Sequence, residues 1–364
     1  SGTGPDLSAP EVIIRGMQPG SGSSYYYAFC SAGNFNGDAT GGGTPVDDIM
    51  VAEPLVGVNL AHVIPGDATW TSGMAQVVID VGDGTDLTDH GVLSIHGNLP
   101  VGVNPPWFGA RCEPAGDVLP TPFGGTEDAD DVLVLQNGNQ DARLFVIPGR
   151  AWTGHQVVTL TDLTGAPSAE DAVSIRLRQE SDNLATGFGS SIVGGQDVNG
   201  DGVPDVVVGH QGRSVSAGGD GKTVYVFDGA LAAAQLGGDV RVDADPEMTG
   251  DAWLGANGSI SEAEVWADLR AVASVGDWDG WTVGGAPTPD LLIARAGQTY
   301  YDFRLNHDGG ELAVLGGFPY QDVSTSDGEV FGVFWVSSGG ADLTNDGAPD
   351  AVSGTLYGEV LIHW

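Results

Sequence analysis

The chain has 364 residues, 59 of them glycine, and a formal net charge of −37 at pH 7. Its one lysine is Lys222, and so acidic a chain excludes nucleic acid and anionic membrane surfaces as natural partners. No apolar run reaches the length of a membrane span, so we expect no membrane insertion. The glycine excess lacks a period of three, which argues against collagen and favours short strands joined by tight turns.

The predicted strands recur in five similar units. In each unit a first strand leads into a polar loop, and the loops open at intervals of roughly 65 to 83 residues, at Asn34, Asp117, Asp197, Asp277 and Asp342. Each loop closes on an aspartate that begins an apolar second strand, at Asp48, Asp131, Asp205, Asp290 and Asp350. Third strands are predicted at residues 62–66, 145–149, 225–229, 313–317 and 359–364, of which the first four end in glycine.

A more variable fourth strand completes each unit, with residues 76–80 and 240–243 as candidates. Four-stranded units repeated at this period indicate an all-β fold, a β-propeller of antiparallel blades. Five units favour five blades, and seven irregular blades are the alternative. The lone strand at residues 11–15 is predicted to complete the last blade, which would leave no open sheet edge. An open array or a sandwich of Greek keys is the other possibility.

We therefore expect a tail at residues 1–10 and one monomeric propeller domain at 11–364. The blade units run roughly over 25–82, 106–180, 187–246, 270–320, and 330–364 together with 11–16. Cys30 and Cys112 lie at near-equivalent positions on the first strands of units one and two. A disulfide between these strands and two buried thiols are both open.

The loop of unit three reads D-x-N-x-D-G-x-x-D from Asp197 to Asp205. Oxygen-bearing side chains alternate along it, and Gly202 turns the chain. Such a loop suits Ca²⁺, which takes about 6–8 oxygen ligands. The loop at residues 342–350 is a near-copy. An Asx-rich turn without metal is the alternative.

Phe188-Gly189-Ser190-Ser191 before this loop and Gly209 after its strand resemble the FG-GAP repeat of integrin alpha-subunit propellers. Phe108-Gly109 and Phe331-Gly332 echo the motif in units two and five, and Leu254-Gly255 is the nearest equivalent in unit four. Integrin-type propellers have seven blades, whereas five units are counted here.

The resemblance implies a set of calcium ligands in units three and five. They are Asp197, Asn199, Asp201, Asp205 and the carbonyl of Val203, then Asp342, Thr344, Asp346, Asp350 and the carbonyl of Ala348. Further candidates are Asn34, Asn36, Asp38 and Asp48 in unit one and Asp277, Asp279 and Asp290 in unit four. In unit two the spacing from Asp117 to Asp131 is lost, and a turn without metal is equally open. The several Ca²⁺ ions are expected to be structural.

The sequence contains no G-x-S-x-G, H-E-x-x-H or phosphate-binding loop, and we expect no enzyme. The resemblance implies an adhesion or protein-interaction module, extracellular, on the cell surface or periplasmic. One alternative is a lectin that binds glycans, because Trp278 and Trp281 flank a predicted loop. The other is the scaffold of a secreted hydrolase or lyase. The expected partner is thus an extracellular protein or a glycan.

Overall fold

The structure is a computed structural model, and one part of the chain is described. The described residues are 12–15, 28–38, 45–53, 59–67, 70, 76–97, 107–119, 129–137, 142–160, 173–177, 188–198, 200–210, 224–227, 229, 239–242, 253–254, 269–276, 282–283, 286–287, 289–295, 300–306, 311–313, 334–341, 350–355 and 360–363. Their fold is all-β apart from one short helix, α1 (Gly84–Asp89), whose N-cap Asp83 accepts a hydrogen bond from the Thr85 N–H.

Twenty-five strands follow one another along the chain. The first thirteen are β1 (Val12–Arg15), β2 (Ala28–Gly33), β3 (Asp48–Glu53), β4 (Leu60–Ile64), β5 (Val77–Asp80), β6 (Leu93–His96), β7 (Trp107–Gly116), β8 (Asp131–Asn137), β9 (Arg143–Ile147), β10 (Gln156–Thr159), β11 (Val173–Leu177), β12 (Phe188–Gln196) and β13 (Asp205–His210). The others are β14 (Val224–Phe227), β15 (Asp239–Val242), β16 (Trp253–Leu254), β17 (Leu269–Gly276), β18 (Thr282–Val283), β19 (Ala286–Pro287), β20 (Asp290–Arg295), β21 (Tyr300–Asn306), β22 (Glu311–Ala313), β23 (Phe334–Ala341), β24 (Asp350–Thr355) and β25 (Val360–His363).

The five predicted units are five antiparallel strand series. They are β2-β3-β4-β6, β7-β8-β9-β11, β12-β13-β14-β16, β17-β20-β21-β22 and β23-β24-β25. In every series the first strand pairs with a second strand that begins at the predicted aspartate, which confirms that part of the repeat. The predicted third strands are also confirmed in units one, two, three and five.

In unit four the predicted third strand at 313–317 is wrong. Tyr300–Asn306 takes that place and pairs with β20, and Glu311–Ala313 follows as the fourth strand. The glycines at 316–317 imitated the end of a third strand, although the strand that follows β20 more closely is the one that pairs with it. Leu254, the predicted equivalent of an FG motif, belongs instead to β16 at the outer edge of unit three.

Both fourth-strand candidates were placed in the wrong sheet. Val77–Asp80 pairs with β1, and the fourth strand of unit one is Leu93–His96, which follows the inserted helix α1. Asp239–Val242 pairs in parallel with β11 of unit two rather than with unit three. Strand β10 does the same one unit earlier, because it pairs in parallel with β6 of unit one. The first two sheets thus gain a fifth strand from the unit that follows.

The prediction that the N-terminal strand completes the last unit is wrong. Strand β1 pairs in parallel with β5, and the Val81 N–H extends the ladder by donating to the Arg15 carbonyl at 2.8 Å. Ile14 packs against the buried Ile79, Val81 and Leu87 cluster, so the apolar side of β1 is buried on unit one. The described strands form no closed barrel.

Successive sheets pack on each other through apolar side chains. Met50 and Val63 of unit one share a cluster with Phe108, Val134 and Phe145 of unit two. A second cluster joins Leu133 and Leu144 of unit two to Ile192, Val206 and Phe227 of unit three. The first strands β2, β7, β12, β17 and β23 are spatial neighbours in that order. The core therefore lies between units rather than within one sheet.

A disulfide joins the first strands of units one and two. Cys30 of β2 and Cys112 of β7 are bonded, and their Cα atoms lie 5.8 Å apart. This geometry decides between the two states that the sequence left open. In the described part of the chain, no helix combines the length and apolarity that a membrane crossing needs.

Candidate loop sites and the aspartate clasp

The Phe-Gly pairs mark a bulge where one unit meets the preceding one. Gly109 and Gly189 have φ of +81° and +75°, and the strand register shifts at both positions. A Cβ at Gly109 would collide with the Ala52 side chain, and one at Gly189 with that of Leu135, each on the second strand of the preceding unit. Only glycine combines this backbone conformation with so close an approach. Phe331 and Gly332 lie outside the described residues.

The aspartate that begins each second strand is a buried hydrogen-bond acceptor. Asp205 is 0% exposed and accepts the Val198 N–H at 2.9 Å and the Gly229 N–H at 3.0 Å. One carboxylate thus joins the start of the loop to the turn after the third strand. We call this arrangement the aspartate clasp.

The clasp recurs in units one and two. Asp48 accepts from the N–H groups of Asn36 at 2.9 Å and Gly66 at 2.8 Å. Asp131 accepts from the N–H groups of Val118 at 2.9 Å, Leu119 at 2.5 Å and Gly149 at 2.8 Å. Both carboxylates are 1% exposed. The clasp therefore accounts for the aspartate marker of the repeat without any metal.

Burial dominates the proton affinity of two clasp residues. It raises the pKa of Asp48 to about 7 and that of Asp131 to about 8. The backbone N–H groups of the clasp favour the ionised form and oppose this shift, but burial is the larger effect. These carboxyl groups therefore sit where an additional positive charge would be favourable.

The glycine that ends each third strand is required by the same geometry. A Cβ at Gly66, Gly149 or Gly229 would overlap a backbone carbonyl oxygen, that of the residue just before the clasp aspartate. The N–H of each of these glycines is the donor that closes the clasp. The two markers of the repeat are therefore the two halves of one contact.

The loop of unit three folds around Asp197. Its carboxylate accepts the N–H groups of Gly200 at 2.7 Å, Asp201 at 3.0 Å and Gly202 at 2.7 Å. Asp201 in turn accepts the Val203 N–H at 2.8 Å. The backbone alone can hold this loop, as in the Asx-rich alternative. Each carboxylate oxygen has a second lone pair that a cation can still use.

The loop of unit one leaves a polar atom without a partner. Asn34 is 5% exposed, and its Oδ1 has no hydrogen-bond partner in the structure. Asn36 and Asp38 bond to each other, with the Asp38 N–H donating to Asn36 Oδ1 at 2.7 Å. A buried, unpaired amide oxygen is costly unless a donor or cation reaches it. These residues therefore fit a hard cation, which prefers oxygen ligands.

The remaining predicted ligands are only partly described. Asn199, Asp277, Asp279, Asp342, Thr344, Asp346 and Ala348 lie outside the described residues. Asp290 and Asp350 begin β20 and β24, and Asp117 is exposed at the start of its loop. Among the residues that the structure describes, no three His, Cys, Asp or Glu side chains converge as a metal site would require.

Two groups were missed in the sequence. Asp130 of unit two contacts the loop of unit one, where its Oδ2 accepts the Asn34 N–H at 2.7 Å. The signal was its position, since units three to five carry proline there. The Ser94 hydroxyl lies 3.0 Å from both His62 Nδ1 and His155 Nε2. Burial lowers the pKa of His62 to about 4, and no sequence motif links these three residues.

Comparison with known families gives one match. Residues 188–227 match the FG-GAP repeat. They span β12, the Asp197 loop, β13 and β14, which confirms the resemblance for unit three. No curated protein matches the chain.

Proposed function

We propose that this chain, whose third unit is an FG-GAP repeat, is an extracellular calcium-binding β-propeller that acts as an adhesion or protein-interaction module. One observation carries the proposal. The clasp of the matched unit recurs in units one and two, and its FG bulge recurs in unit two. The match thus describes a repeated architecture rather than an isolated segment.

The propeller part of the proposal rests on how the units pack. Five first strands are neighbours in chain order, and the apolar clusters lie between successive sheets. Blades around a common axis have this arrangement. We propose five blades, one for each series, rather than the seven of the integrin type. A crystal structure in which β23 does not reach β2 would refute a closed ring of five.

Calcium would be held by the loops that join first and second strands. In unit three the candidates are Asp197, Asn199, Asp201, Asp205 and the carbonyl of Val203. In unit one they are Asn34, Asn36, Asp38 and Asp48, where the unpaired Asn34 oxygen supports the assignment. Bound calcium would neutralise these oxygens and add its binding free energy to folding. We propose the same role for Asp277, Asp279 and Asp290 and for the loop at 342–350.

The extracellular part rests on two further features. The Cys30–Cys112 disulfide is of the kind that persists in oxidising compartments. A net charge of −37 suits a surface that is solvated in a calcium-rich medium. Adhesion itself is proposed by analogy with the repeat family and needs a direct test.

The first test is thermal unfolding in calcium and in EDTA. At a hundredfold excess of calcium over its Kd, one site adds about 2.7 kcal/mol, which raises the Tm by about 5–10 °C for a chain of this size. Asp201→Ala should reduce the calcium-dependent increase. The control is Asp89→Ala at an exposed position of α1, which should leave it unchanged. Identical Tm values in calcium and EDTA would refute structural calcium.

The second test is a binding screen against extracellular proteins and glycans, in millimolar calcium and again in EDTA. Protein partners that are lost in EDTA would support the interaction module. Glycans of a single chemical type would replace it with the lectin function. Silence on both arrays would contradict the binding function and leave the scaffold of a secreted hydrolase or lyase.

A further inference from the structure

The loop of unit one is held by the neighbouring unit as well as by its own. The Asn34 N–H donates to Asp130 Oδ2 at 2.7 Å, and the Asp130 N–H donates back to the Asn34 carbonyl at 3.0 Å. The Arg150 N–H donates to the Phe35 carbonyl at 2.8 Å. Three hydrogen bonds thus cross from unit two to two consecutive residues of this loop.

The packing around these bonds is tight. Gly33 has φ of +63°, and a Cβ there would collide with the Asp130 side chain. Phe35 is 0% exposed, and its ring centroid lies 6.0 Å from that of Trp152. The position of the Asn34 backbone is therefore set by unit two. Its side-chain Oδ1 remains buried and unpaired.

The charges of the loops suggest why an aspartate stands at position 130. The loops of the other four units open with aspartate, whereas this loop opens with the neutral Asn34. The residue before the clasp aspartate is proline in units three to five, namely Pro204, Pro289 and Pro349. Proline has no N–H and no charge. Asp130 supplies both to the one loop whose first residue lacks a carboxylate.

The equivalent junction between units two and three shows the uncharged version. There Pro204 packs beside Gly116, and a Cβ at Gly116 would lie 3.1 Å from Pro204 Cγ. The geometry of the two junctions is alike, but only the first brings a carboxylate to the opening residue of the loop. The difference is therefore chemical rather than architectural.

We propose that Asp130 is a positioning residue for the cation site of unit one, so that this site spans the junction of two units. This inference rests on the proposed calcium function. Asp130 fixes the backbone of Asn34 and supplies the negative charge that its side chain lacks. Calcium bound there would link units one and two beside the Cys30–Cys112 disulfide.

The experiment compares the full-length chain with Asp130→Asn, which keeps an acceptor oxygen for the Asn34 N–H but removes the charge. Calcium is counted by native mass spectrometry and titrated by calorimetry. We expect one site to weaken about tenfold, from loss of a charge near a divalent ion. Asp89→Asn, the same charge change on α1, should leave all sites intact.

A rescue variant separates charge from structure. Adding Asn34→Asp to Asp130→Asn places a carboxylate where the other units have one, and it should restore the weakened site. The Tm loss of Asp130→Asn should also be larger in calcium than in EDTA. Unchanged calcium binding in Asp130→Asn, an equal Tm loss in both media, or a failed rescue would overturn the inference. A wild-type chain that takes up no calcium would overturn the proposed function itself.

Discussion

Replacing the clasp residue Asp205 with alanine tests whether this aspartate is more than a metal ligand. The change leaves two N–H groups, those of Val198 and Gly229, without their acceptor at a site that is 0% exposed. Each buried unpaired donor costs about 1–3 kcal/mol, so we expect the free energy of unfolding to fall by about 2–6 kcal/mol. That is a large share of the about 5–15 kcal/mol typical of a folded protein.

The assay is urea unfolding of the oxidised chain in EDTA, so that no cation contributes. Asp205→Asn keeps one acceptor oxygen and the side-chain shape, and its loss should be intermediate. Asp89→Ala removes a carboxylate from an exposed position and should change the stability by less than about 0.5 kcal/mol. If Asp205→Ala unfolds in EDTA at the wild-type urea concentration, the clasp contributes nothing and the reasoning fails.

Three further predictions concern the unit junctions and the buried histidine. Replacing Cys30 and Cys112 with serine removes a link across 82 residues, worth about 4.5 kcal/mol of chain entropy, and urea unfolding that shows no loss would contradict this. Gly109→Ala should cost more than Gly154→Ala in the same assay. Both have positive φ, but a Cβ at Gly154 meets nothing within 4 Å, so equal losses would exclude the packing argument. Burial lowers the pKa of His62 from 6.5 to about 4, so the unfolded chain takes up this proton first as the pH falls. The stability advantage of wild type over His62→Asn should shrink by up to about 3 kcal/mol between pH 6.5 and 4, and a constant difference would refute it.

The strands that follow from local chemistry were predicted from the sequence. An aspartate followed by apolar residues located all five second strands, because it marks both the end of a polar loop and the start of a buried strand. Glycine after a strand located the third strand in three of the units that contain it, at Gly66, Gly149 and Gly229. In unit four the same signal failed, since glycine also occurs in turns that end no third strand.

The strands that cross between sheets could not be predicted. Strand β10 is mostly exposed, with Val157 61% exposed, and its register with β6 is set by the unit before it. Strand β1 has the composition of any edge strand, and its burial on unit one depends on the inserted helix α1. Partner choice at a sheet edge is a long-range property, and the residues of one strand do not encode it.

The candidate site shows a related ambiguity. A carboxylate at the ninth position of the loop can bind calcium or accept backbone N–H groups, and both uses require an aspartate there. The structure assigns the second use to Asp48, Asp131 and Asp205 through their hydrogen bonds. Their possible use as ligands therefore has to be measured, because the residue type does not distinguish the two.

The clasp changes what calcium would do for these loops. In unit three the Asp197 carboxylate accepts three backbone N–H groups, and the clasp closes the base of the loop, so this loop can form without a cation. In unit one Asn34 offers a buried oxygen with no partner, and the loop draws on Asp130 of the next unit. Calcium would thus tighten a loop that is already closed in unit three, but it would complete one in unit one. The cation should therefore contribute most where the repeat departs furthest from its consensus and where two units meet.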